Sequence, residues 1–99
     1  MNQFFDELGA LWATEAEHRG AKIAPPTLDP RVAMELLELA RVAAHTRERR
    51  FAPLACFMAG VAAERLSSSK PGVDEAAIAE YIQEVRQKLE REGPKDAEW

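Results

Sequence analysis

Ninety-nine residues, 46% hydrophobic and 30% charged with a formal charge of −4, describe one small acidic domain. A chain of that size buries roughly 65% of the surface its unfolded form exposes, so one modest core fits and a deep catalytic cleft with a second domain does not. Only seven residues are aromatic and alanine dominates the apolar set, which favours close-packed helices over a sheet.

The charge is unevenly placed, −3 over residues 1–30, +2 over 31–63 and −3 over 64–99. An acidic chain with one basic middle is a poor match for nucleic acid, whose binders carry a broad basic face. The single Cys56 excludes an internal disulfide. The opening Met1-Asn2-Gln3-Phe4-Phe5-Asp6-Glu7 lacks the basic and apolar regions of a signal peptide. The longest uncharged run, Phe51 to Ala63, is 13 residues, against about 20 for a membrane span. The expectation is a cytoplasmic protein with neither membrane nor nucleic acid as partner.

Four helices are expected, at about residues 3–18, 30–46, 53–67 and 74–92, forming a compact all-α bundle in a single domain over 1–92, followed by a disordered tail over 93–99. Phe4, Leu8, Leu11, Trp12 and Ala16 recur at helical spacing in the first, with Asn2 placed to cap it and Gly20 to close it. Pro25-Pro26 then forbids helix and predicts an extended connector.

Asp29-Pro30 is a start signal, an acceptor at the cap followed by proline in the first helical position. In the second helix Arg31, Glu35, Glu38, Arg41 and His45 line one narrow polar edge, and apolar side chains cover the rest. The third helix starts at Pro53 and carries no charge before Glu64; Ala55, Ala59 and Ala63, with Cys56 and Gly60, make small-residue faces that a neighbouring helix can approach closely. It reads as the central helix. Ser67 to Gly72 is a turn, Asp74 caps the last helix, Val73 and Ile78 stand at hydrophobic-staple spacing, and Gly93-Pro94 ends it.

Chemistry concentrates in one basic cluster. His45, Arg47, Arg49 and Arg50 sit between the end of the second helix and the start of the Pro53 helix. Guanidinium groups at a helix N-terminus can hold a phosphate or carboxylate, because the first amides and the macrodipole both favour an anion. Positive side chains at a helix C-terminus also offset its dipole, and both readings stand for His45, Arg47, Arg49, Arg50 and Pro53. His45 has no second ligand at zinc spacing, so no metal is expected.

Cys56 lies in an apolar run and reads as a small hydrophobe, with no base placed to activate its thiol. Glu35 and Glu38, with Arg31 and Arg41 beside them, read as a surface salt-bridge ladder. The two helices around the basic turn are not a DNA-reading pair, since the second presents no polar side chains to base edges.

The run Leu36-Leu37-Glu38-Leu39-Ala40-Arg41-Val42-Ala43-Ala44-His45, then Arg49, Ala52-Pro53-Leu54, Phe57 and Gly60, resembles an uncharacterised small helical domain family of actinobacteria, found alone or joined to a molybdenum-cofactor guanylyltransferase. The likeness covers about 30 of the 99 residues and implies that His45, Arg49 and Pro53 occupy motif positions. The chain departs from that pattern at Arg50, commonly proline, and at Ala55-Cys56, commonly a threonine pair.

The leading expectation is a non-enzymatic helical interaction or accessory module without a cofactor, self-associating as a homodimer or joining a larger protein, with a contextual link to molybdenum-cofactor metabolism. The alternative is a small anion-, phosphate- or nucleotide-binding domain built on the His45–Arg50 turn.

Overall fold

The structure, a computed structural model, describes residues 2–95. It is all-α, with four helices in chain order: α1 (Gln3–His18), α2 (Pro30–Thr46), α3 (Phe51–Ser69) and α4 (Glu75–Glu92). The chain divides into two compact units, Met1–Pro30 and Arg31–Trp99.

In the first unit the Asn2 side chain accepts a hydrogen bond from the Phe5 amide at 3.3 Å, satisfying one of the amides that a helix start leaves without a partner. At the other end Gly20 takes φ +81°. Its amide donates to the Glu17 carbonyl and that of Ala21 to the Ala16 carbonyl, the two bonds of a Schellman closure. The connector then runs back along the helix. A Cβ at Gly9 would stand 2.4 Å from the Pro26 carbonyl oxygen, so this mid-helix position has room only for hydrogen.

The second unit is built on α2, which buries Val32, Ala33, Leu39, Val42, Ala43 and Thr46. Val42 is 1% exposed. The Thr46 hydroxyl, buried with them, donates to the Val42 carbonyl at 2.6 Å. Ala79 and Ile82 of α4 complete a core cluster with Val32 and Leu39, and Ala55 and Ala59 of α3 pack on it. The ion pairs below join successive residues of α2 to successive residues of α4 in increasing order, so the two helices run side by side in the same direction. Short turns on either side send α3 the opposite way.

Sequence and structure differ at four places in this unit. First, α3 starts at Phe51, not Pro53, and ends at Ser69, not Ser67. Pro53 in the third helical position still falls among the first-turn amides that need no intrahelical acceptor, so its ring does not bar an earlier start. At the far end the Ser69 hydroxyl donates to the Arg65 carbonyl at 2.8 Å. Extension stops at Lys70, φ −147° and ψ 130°, because Pro71 forces the residue before it out of the helical region.

Second, the central helix is α2 and not α3: only Ala63 of α3 is buried, while Phe57 is 73% and Met58 71% exposed. Its uncharged run does not signify enclosure. Third, the expected ladder along α2 is largely a clasp to α4. Arg41 does pair with Glu38, but it also reaches Glu90 at 3.4 Å, and Glu35 pairs with Arg86 at 3.2 Å. Both members of that last pair are mostly buried, 17% and 14% exposed. Fourth, residues 93–95 of the expected tail are tied down: the Lys95 amide donates to the Thr46 carbonyl at 2.9 Å. Residues 96–99 of that tail lie outside the described residues.

Two glycine replacements will have opposite signs. Alanine is favoured over glycine in a helix by about 1 kcal/mol, and at Gly60 an added Cβ meets nothing within 4 Å. Gly60→Ala will therefore raise the urea midpoint of the dilute protein. Gly9→Ala will lower it by an unfolding free energy of about 1–3 kcal/mol, because the Pro26 carbonyl must move. Arg86→Ala strands Glu35 without its partner and will cost about 2–3 kcal/mol in the same measurement.

Candidate functional site

The basic cluster lies where α2 ends and α3 begins, and the structure gives its members different surroundings. Arg47, half-buried, donates through its guanidinium to the carbonyls of Thr46 and Gly93, each at 3.1 Å, and to the Glu92 carboxylate at 2.9 Å. It thus sits at the C-termini of two parallel helices, where exposed carbonyls and both macrodipoles favour a positive charge. Dipole compensation takes that concrete form here.

Arg50, exposed, lies beside the Glu48 carboxylate and 5.9 Å from the centre of the Phe51 ring. His45 on the last turn of α2, Arg49 in the connecting turn and Pro53 in the first turn of α3 are exposed. The turn itself uses the amides that an anion would need. Phe51 donates to the Glu48 carbonyl at 3.0 Å and Ala52 to that of Arg49 at 3.2 Å. Pro53 has no N–H to give.

Electrostatic effects around this end of the molecule are local. Lys95 first and Arg47 second hold the Glu92 carboxyl below the usual carboxylate range, and a hydrogen bond from Arg41 does the same for Glu38. Burial pushes the Cys56 thiol up from its usual value, and that thiol lies 3.6 Å from the Leu36 carbonyl oxygen, with α2 against it. Among the described residues no three His, Cys, Asp or Glu side chains converge as a metal site would require.

Another open space lies elsewhere in this unit. A groove of about 300 Å³ runs between α3 and α4 over Leu39 of α2; Ala55, Met58 and Ala59 form one wall, Tyr81 and Val85 the other, and its lining is almost wholly apolar. Met58 and Val85 stand exposed on its rim. Beyond Met58 the outer face of α3 continues through Leu54 and Phe57, both exposed.

These side chains were expected to fill the surroundings of a central helix. The sequence did carry a signal for the opposite placement. Ala55, Ala59 and Ala63 mark the side on which another helix comes close, so the large residues half a turn away must point elsewhere. With no charge along the helix, nothing labelled that other side as surface.

The family profile described as "Domain of unknown function (DUF6457)" matches residues 5–97, and the chain belongs to that family. Comparisons with curated proteins and with solved structures return no match.

Two measurements follow from the titrating groups. Glu38 and Glu92 have folded-state values lowered from 4.5, so their contribution to stability is present above that pH and is lost as the pH falls through the lower folded values. Stability will decline from about pH 4.5 downward, and Glu92→Gln will flatten part of the decline in acid-titrated urea melts. Cys56 will be alkylated at pH 8 several-fold more slowly in the folded protein than in urea, because the thiolate is the nucleophile and burial disfavours it.

Proposed function

We propose that this member of the family is a non-enzymatic, cytoplasmic helical interaction module, and that its working surface is the uncharged outer side of α3 together with the adjoining α3–α4 groove. One observation carries the reading: Phe57 and Met58, 73% and 71% exposed, stand next to each other on a helix that has no charge from Phe51 to Ala63. A helix apolar all round is ordinarily covered, and adjacent exposed apolar side chains beside an apolar groove mark a contact surface. No helix of the described residues is long and apolar enough to cross a membrane. Another folded polypeptide fits the requirement.

The phosphate- or nucleotide-binding reading at His45, Arg47, Arg49, Arg50 and Pro53 is the weaker one. Arg47 already serves Glu92 and two carbonyls, Arg50 lies beside Glu48, and the first amides of α3 have carbonyl acceptors or, at Pro53, do not exist. The resemblance to domains joined to a molybdenum-cofactor guanylyltransferase names one enzyme on which the α3 surface is to be tried.

A contact surface differs from a core in what it does for the single chain. The double variant Phe57→Asp, Met58→Asp will keep its helical circular dichroism at low micromolar concentration, and each substitution will change the unfolding free energy by about 0.5 kcal/mol or less. A loss above about 3 kcal/mol would place both side chains in the core and end the proposal. A photo-crosslinking side chain at position 57 will give a polypeptide adduct, whereas one at Lys88, on the exposed side of α4, will not.

A further inference from the structure

We infer that the polypeptide covering the α3 face is a second copy of this chain, packed antiparallel about a two-fold axis at Phe57; the inference rests on the interaction reading above. On a helix of 3.6 residues per turn, Arg50, Leu54, Phe57, Gly60 and Glu64 fall within about 60° of one another's mean direction, with Pro53 and Val61 between them. All but Val61, which is half-buried, are exposed. Arg50 and Glu64 bound this strip, about 21 Å apart along the axis.

A two-fold axis through Phe57 brings each position of the strip against the one equally far from Phe57 on the other side. Arg50 then meets Glu64 of the second copy, Leu54 meets its Gly60, and Phe57 meets its counterpart. Opposite charges face each other at both ends, and an aromatic pair forms at the centre. The largest aliphatic side chain of the strip lies on its smallest residue, and an added Cβ at Gly60 meets nothing within 4 Å, so there is space above it. The Arg50 side chain, beside Glu48, is 62% exposed.

The parallel alternative sets Arg50 on Arg50 and Glu64 on Glu64, which repels at both ends. Charge is compatible with this face, because two chains of −4 repel and the run from Phe51 to Ala63 lets the strips meet with no like charges opposed between their ends. A closed two-fold pairing uses the same patch on both copies, as most homodimers do. One helix face lies at the small end of stable interfaces, so the dimer will be in the micromolar range and concentration-dependent.

Sedimentation equilibrium of the full chain from about 1 µM to about 500 µM will carry the mass from 11.0 kDa to twice that value. Arg50→Glu and Glu64→Arg will each weaken the dimer about ten-fold, and the two together in one chain will return Kd to within about three-fold of wild type. Gly60→Ala will weaken the dimer while stabilising the dilute monomer, a combination that a purely structural effect does not produce. A wild type that stays at 11.0 kDa throughout overturns the inference. So does a double charge reversal as weak as the sum of its parts. Neither result touches the interaction reading, which fails separately if position 57 gives no crosslinked polypeptide or if Phe57 and Met58 are needed for the single chain to fold.

Discussion

The second unit depends on the way α4 lies along α2. Ala79 and Ile82 press into Val32 and Leu39, and the contact is bordered by charges that join one helix to the other: Glu35 with Arg86, Arg41 with Glu90, Arg47 with Glu92. The apolar core supplies most of the stabilisation. The charges fix which residues meet. A shift of α4 by one turn would set Glu35 and Arg86, both mostly buried, against Ile82 and Leu39 in one direction or against the like charges of Glu90 and Arg31 in the other, and an uncompensated charge there is far costlier than a mispacked methyl group. The terminal nitrogens of Arg86 reach Glu35 and Glu90, while its Nε has no acceptor among the described residues.

That arrangement leaves α3 partly uncovered. With α4 parallel to α2, a single reversed helix can touch both with one side only, and α3 does so with its alanines. Small residues let it approach closely, but they also mean that the side turned inward buries little area. Leu54, Phe57 and Met58 of α3 are left outside. The exposed Phe57 and Met58 and the open groove at Val85 are therefore two consequences of one packing choice. In a chain of this length that exposure has a cost, because small domains have little apolar area to leave in water.

The basic turn changes meaning in this setting. Four basic side chains between two helices invite an anion, yet Arg47 turns to the ends of α2 and α4 and the turn closes on itself through the carbonyls of Glu48 and Arg49. Its visible work is to hold Gly93 and Lys95 against the end of α2, so that α4 ends beside it in a defined position. The motif positions His45, Arg49 and Pro53 remain on the surface. They lie close in sequence to the start of the uncharged face of α3.

Local chemistry was legible in the sequence wherever a single residue decides a backbone conformation. Asn2 and Asp74 accept from the amides their positions predict, Gly20 and Gly93 take the positive φ that ends a helix, and Pro25-Pro26 gives the extended connector. The four helices and the all-α class follow from those signals and from apolar spacing, since each acts within a few residues. What the tertiary structure alone decided was direction: which side of each helix meets which neighbour. Arg86 stands 51 residues from Glu35, and Pro26 lies against Gly9 across a reversal of the chain. On α3 an uncharged surface has no periodic mark to tell inside from outside. Burial there is set by which helices reach it, and only folding assigns that.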